Sequence, residues 1–215
     1  IGLIYPTIKT TIDSFYSGRG RFIGFDNFIW IFTQESAIRT VLNTIVWVLI
    51  APIVSTAIGL AYAVFIDKSR GEKIFKALVF MPMAISFVGA SIIWKFVYDY
   101  RDPTQPQDGL LSQIVIALGF KHPPNWLLSH PLNNFLLMVI MVWVETGFAM
   151  VVLSAAIKAI PDDVIEAARV DGAHGMRLFA SVQIPMIRST LVVVLTTVMI
   201  ATLKIFDIVR TVTGG

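Results

Sequence analysis

The sequence predicts an all-α, polytopic membrane protein, and three observations carry that prediction. Of its 215 residues, 56% are hydrophobic and 14% charged, whereas soluble domains carry about 25% charged residues. Long apolar runs recur at the length that crosses a bilayer, about 20 residues. The polar segments between these runs alternate in basic content, as loops on opposite sides of a membrane do.

Four runs qualify as spans. Residues 41–66 hold no charge, residues 77–94 are bracketed by Lys76 and Lys95, and residues 132–157 are interrupted once, by Glu145. Residues 189–213 start uncharged and continue less cleanly through Lys204, Asp207 and Arg210. Residues 1–12 read as the tail of a fifth, partial span. Ile1 stands where an initiator methionine would, and Gly214-Gly215 directly follows an apolar run. The expectation is a single transmembrane domain over 1–215, cut from a longer chain at both ends.

Residues 67–76 and 158–188 fall on one side of this arrangement, with Lys68, Arg70, Lys73, Lys76, Lys158, Arg169, Arg177 and Arg188. Residues 9–39 and 97–131 fall on the other, with Lys9, Arg19, Arg21, Arg39, Arg101 and Lys121 spread over a greater length. The positive-inside rule assigns the first pair to the cytoplasm. The outer segment, rich in proline at 103, 106, 123 and 124, reads as irregular surface structure. The tryptophans at 30, 47, 94, 126 and 143 read mostly as interfacial belts near span ends.

The most distinctive polar stretch is residues 161–185, PDDVIEAARVDGAHGMRLFASVQIP. Asp162 or Asp163 suits a helix start, and Asp163 with Glu166 has the spacing of a capping box. Val164, Ala167, Ala168 and Asp171 share one face, Glu166 and Arg169 are spaced to pair, and Gly172 permits a left-handed stop. A second short helix over about 174–183 follows. The shape suits docking into a groove on a soluble partner. A helix resting on lipid headgroups is the competing reading, weakened by its small apolar side chains and its acids.

Within 41–66, Ala51, Ser55, Gly59 and Ala63 recur every fourth residue and form a flat stripe for close helix approach. Packing inside the subunit and packing against another subunit both fit it. Glu145 sits mid-span, where an ionisable group is costly and faces a cavity or a partner. Either a solute contact or a pair with another span, such as Lys204, accounts for it. Lys204 and Arg210 also fit snorkelling to the headgroups.

Other chemistry is poorly supported. There is no cysteine, which removes thiolate nucleophiles, thiolate metal ligands and disulfides. His122, His130 and His174 have no metal-site spacing. No catalytic constellation is evident, the reading is not an enzyme, and a net charge of +3 gives nucleic-acid binding little support.

The stretch EAARVDGA at 166–173, followed by Phe179 and Ile184-Pro185, resembles the EAA loop of permease subunits of binding-protein-dependent ABC importers. Ile160-Pro161, Gly24-Phe25-Asp26-Asn27, Asn43-Thr44, Phe206-Asp207 and Thr213-Gly214-Gly215 resemble the carbohydrate-uptake, maltose-transporter-like branch. The resemblance implies a helical bundle of the type I importer permease kind in a bacterial or archaeal cytoplasmic membrane. It implies that the loop at 158–186 carries a coupling helix that docks on a cytoplasmic ATPase dimer. Glu166 would make the charged contact, Ala167 and Ala168 would fit the cleft, Gly172 would supply the bend, and Asp171 and Ala173 complete the motif. ATP and magnesium would belong to that ATPase, and this chain has no phosphate-loop motif and no cofactor of its own. A second homologous permease and an extracellular or periplasmic solute-binding protein are the other implied partners. By similarity, Glu145, Thr202 and Lys204 fall near the solute path of a sugar importer. The alternatives are a permease for another small polar solute, glycerol phosphate or peptide, and a membrane-anchored scaffold whose cytoplasmic helix binds a non-ATPase partner.

Overall fold

The structure is a computed structural model that describes every residue except Ile1, Leu3, Asp67, Lys68, Pro103, Lys121 and Gly215. The expectations placed on Ile1, Lys68, Pro103, Lys121 and Gly215 therefore lie outside the described residues. The chain divides into two compact units, residues 1–46 and 47–215.

In the first unit, α1 (Ile4–Asp13) and α2 (Asp26–Thr33) flank a turn closed by an antiparallel bridge between Tyr16 and Phe22. Phe15, Phe25 and Phe28 meet ring to ring with centroids 5.5–5.9 Å apart. The Asn27 side-chain amide donates to the carbonyls of Ser14 at 2.8 Å and Tyr16 at 3.1 Å. These contacts explain why a polar Asn27 follows an aromatic cluster: it satisfies backbone acceptors that no ladder would satisfy. Over the partial span expected at 1–12 lies α1, which has no buried residue.

The unit boundary falls inside α3 (Glu35–Ile66), which starts six residues before the apolar run and contains Pro52. The second unit continues with α4 (Glu72–Phe80), a 3₁₀ turn (Met81–Ala84) and α5 (Phe87–Val97). The run expected as a span over 77–94 is therefore not one straight helix, its two halves being bent by 103°. Pro82 has no N–H for an α-helical bond. Ser86 starts the helix again, its Oγ accepting from the Gly89 N–H at 3.1 Å.

The segment 97–131, expected on the outer side, is less irregular than its prolines suggest, since α6 (Leu110–Ala117) lies within it. Trp126 is buried there, its indole N–H donating 2.8 Å to Ser112 Oγ. Gly109 lies against Asp99, and a Cβ at Gly109 would fall 2.0 Å from the Asp99 carbonyl oxygen. Thr104 donates through its hydroxyl and its backbone N–H to Asp102, holding that carboxyl below its ordinary range.

Helix α7 (Leu132–Lys158) runs unbroken through the expected span at 132–157. It is the hub of the second unit, buried along Ile140, Met141, Val144, Met150 and Leu153 and packed by α4, α5, and two later helices, α11 (Arg188–Leu203) and α12 (Phe206–Thr213). Gly147 permits a close approach of α4: a Cβ there would sit 2.6 Å from the Val79 carbonyl oxygen and 2.9 Å from Phe80 Cα. Trp94 and Trp143 pack edge to face with centroids 5.8 Å apart. The Tyr98 hydroxyl donates to the Leu136 carbonyl at 2.9 Å, and the Trp47 indole N–H donates to Asn134 Oδ1. Trp47, Trp94, Trp126 and Trp143 thus make contacts within the protein. Trp30 is exposed.

Between α7 and α11 lie α8 (Asp162–Val170), α9 (Gly175–Leu178), a π turn (Phe179–Gln183) and α10 (Ile184–Met186). The run at 189–213 is not one helix, because it breaks at Lys204 and Ile205, where α11 ends and α12 begins. Asp207 in the first turn of α12 favours a new start there. By length and composition, α3 and α7 can each cross a membrane. Two bent pairs, α4 to α5 and α9 to α11, add up to two further spans.

Candidate functional site

The segment after α7 is largely exposed. Lys158 is the last residue of α7 and Asp162 begins α8, so the two helices are joined by three residues. Pro161 precedes α8 with φ −58° and ψ 136°, and no side chain caps the start. The capping box expected at Asp163 and Glu166 is therefore absent. The helix starts at Asp162, one residue too early for Asp163 to be its cap, and both aspartates instead occupy the first turn, where the helix dipole favours them.

The other end of α8 closes as the sequence anticipates. Gly172 has φ +83°. Its N–H donates to the Arg169 carbonyl at 3.0 Å, and the Ala173 N–H donates to the Ala168 carbonyl at 2.9 Å. This pair of bonds is a Schellman motif, which needs a left-handed residue at the position Gly172 fills.

No residue of α8 is buried. Glu166, Ala167, Asp171 and Gly172 are exposed, while Ala168 and Ala173 are half-buried. The less exposed residues are Ile165 and Ala168, while Val164, Ala167 and Asp171 of the face read from the sequence are exposed. Ile165 is the larger side chain, and it turns toward an open cavity of about 630 Å³ shared with Ala61 and Phe65 of α3, Met176 and Phe179. Val164 and Val170 are exposed. Glu166 and Arg169 form no ion pair among the described residues: at this exposure both are well solvated, and such a pair gains little.

The small-residue stripe lies inside the protein. Ala51, Ser55 and Ala63 are fully buried. At Gly59 a Cβ would fall 2.5 Å from Ala149 Cβ and 2.8 Å from the Met150 nitrogen. The stripe is thus occupied at Gly59 by α7 of the same chain. Ser55 and Thr56 hydroxyls are buried without a partner.

The three residues suggested for a solute path share no hydrogen bond or ion pair among the described residues. Glu145 is half-buried on α7 and has no hydrogen bond or ion pair among the described residues, so the pair with Lys204 is not formed. Lys204 is exposed at the end of α11. Thr202 is buried, its hydroxyl donating to the Val198 carbonyl at 2.8 Å and lying 3.5 Å from Met141 Sδ. Its oxygen is therefore satisfied within the protein. A cavity of about 350 Å³ lies beside Tyr62, Trp94, Trp143 and Thr146, and Glu145 does not line it. Among the described residues no group of three His, Asp or Glu side chains is placed to hold a metal ion.

One cluster was not singled out from the sequence. Glu72, in the first turn of α4, accepts from Lys76 Nζ at 2.9 Å and from Lys158 Nζ. Lys76 Nζ also donates to Ser154 Oγ on α7. Glu72 and Lys158 are 86 residues apart, and nothing local in a single sequence marks them as partners.

Comparison with known proteins agrees with this architecture. The chain is 52% identical to an osmoprotective compounds uptake permease of Synechocystis sp. over 99% of its length and 76% of the relative's. It is 46% identical to an alpha-glucoside transport system permease of Rhizobium meliloti, over 99% of the chain and 63% of the relative. It is 30% identical to a trehalose/maltose transport system permease of Thermococcus litoralis, over 90% of the chain and 64% of the relative. In fold it is similar to a chain of a bacterial alginate ABC transporter crystallised with a pentasaccharide-bound periplasmic protein. That likeness has TM-score 0.78 and 21% identity, over 99% of this chain and 74% of that one. The family described as binding-protein-dependent transport system inner membrane component matches residues 55–215, and the chain belongs to that family.

Proposed function

We propose that this chain is a membrane-spanning permease subunit of an ATP-driven importer. In this reading it carries a sugar or oligosaccharide handed over by an extracellular binding protein, beside a second, homologous permease. The observation that supports the reading best is the form of α8: exposed, small-faced, terminated by a Schellman turn, and joined to the most buried helix by three residues. A helix that receives a push must be free on its outer face and stiffly tied behind. The family membership and the sugar-transport names of several relatives support the cargo class.

ATP hydrolysis in this reading belongs to the partner ATPase, and closure of that ATPase moves α8. Each ligand shifts the inward–outward equilibrium only by its differential affinity for the two states, so the α7–α8 joint sets how much of the ATP-driven motion reaches the spans. Glu166 supplies the charged contact, and the exposed Ala167 admits the partner surface. The test is Glu166→Lys in the assembled importer. ATP-driven uptake should be abolished while the subunit remains inserted, and normal uptake contradicts the reading.

A second cargo reading rests on the relative that is 52% identical and is named for osmoprotective compounds. Competition of labelled alpha-glucoside uptake by small osmoprotectants separates the two: strong competition favours the second reading, and none favours the first.

A further inference from the structure

We propose that Glu72 is a positioning residue for coupling: with Lys76 and Lys158 it clasps the first turn of α4 to the last turn of α7, so that displacement of α8 carries α4 along. The proposal rests on the reading of α8 as the ATPase-docking helix. It adds a route by which the motion reaches the bend at Pro82.

Three features support it. The clasp meets α7 at two points, Ser154 Oγ through Lys76 and Lys158 Nζ directly through Glu72. Ser154 and Lys158 are four residues apart and share a helix face, so the two contacts fix both the height and the rotation of α4 against α7. A further fixed point lies about two turns along α7, where Gly147 admits the backbone of Val79 and Phe80. A rod held at both ends of its contact moves with its neighbour.

The place of the clasp also matters. Lys158 is the last residue of α7, and α8 begins at Asp162. A load passed from α8 back along the chain reaches Lys158 before it reaches the buried body of α7. On the other side, α4 leads into the 3₁₀ turn and the 103° bend to α5, and α5 packs on α7 and α12. The Glu72, Lys76 and Lys158 side chains are 28%, 22% and 50% exposed. Partial shielding of Glu72 and Lys76 makes the clasp stronger than a fully solvated pair, which contributes little.

The experiment uses the whole importer reconstituted in vesicles with its ATPase, second permease and binding protein. Solute uptake and ATP hydrolysis are both measured, and co-purification of the ATPase is scored alongside. Glu72→Gln and Lys158→Gln should each lower solute carried per ATP hydrolysed by about threefold, the size a partly exposed ion pair can carry, with ATPase retention unchanged. The charge-swapped double variant Glu72→Lys with Lys158→Glu should recover the ratio.

Wild-type ratios in both single variants overturn the proposal, as does a swap that recovers nothing although it assembles. If a single variant fails to assemble, the swapped pair still decides: assembly with a wild-type ratio supports the clasp, and assembly with a lowered ratio overturns it. Failure of the docking reading is distinct, because Glu166→Lys would then leave uptake intact whatever the clasp does.

Discussion

Helices α7 and α8 lie three residues apart and use small residues for opposite ends. In α7, Gly147, Ala149 and Ser154 are buried, and they let the backbones of α4 and α3 come close. In α8, Ala167 is exposed and Ala168 half-buried, and no residue is fully covered. A small face is therefore a statement about approach distance alone. Whether the approaching surface belongs to the same chain or to a partner depends on what the fold has already placed there. The stripe from Ala51 to Ala63 makes the same point, since α7 occupies it at Gly59.

This contrast predicts a graded series of stability effects, read by thermal unfolding of the purified subunit in one fixed detergent. Gly147→Leu should be the most damaging, because its Cβ would meet the Val79 carbonyl and the Phe80 backbone, neither of which is a flexible side-chain tip. Overpacking of this kind costs about 1–3 kcal/mol or more, so the midpoint should fall by several degrees; an unchanged midpoint breaks the claim that α7 is closely packed there. Gly172→Ala comes next, forcing a side chain into a left-handed turn at φ +83° at a cost of about 1–2 kcal/mol. The loss is local, so hydrogen exchange of the Gly172 and Ala173 amides should accelerate more than the midpoint moves. Equal protection in the variant would show that the Schellman turn does not hold α8.

Trp47→Phe removes the donor to Asn134 and should cost about 1 kcal/mol. A larger drop would mean that indole packing rather than the hydrogen bond joins α3 to α7. Ala167→Trp should have the smallest effect on the midpoint, near zero, and yet stop ATP-driven uptake. A stability loss at Ala167 comparable to that at Gly147 would erase the distinction between the two helices.

Much of this architecture is legible in the sequence. The apolar runs locate α3, α7 and α11 because a helix that faces lipid or other helices needs unbroken apolar length. Gly172 is legible because a left-handed turn after a short amphipathic helix leaves few alternatives. The bend at Pro82 is less so: proline inside an apolar run sometimes only kinks a helix, as Pro52 shows by remaining inside α3. Which face of α8 turns inward is not legible, because alanines and valine near Glu166 compete with the single Ile165, and only the cavity beside Phe65 decides between them. The Glu72 clasp has no local signature at all. Its members read as loop charges until α4 is folded against α7.

The central claim is that α8 presents its outer face to an ATPase. The chain has no cysteine, so Ala167→Cys places a single thiol in this subunit at the middle of that face. A photo-crosslinker on that thiol, activated in vesicles holding the complete importer, should yield an adduct with the ATPase whose amount changes when ATP is added. The same probe at Leu128, exposed in the outer segment, should yield none. An Ala167 probe that labels only lipid, or an ATPase adduct of equal yield from Leu128, would contradict the account.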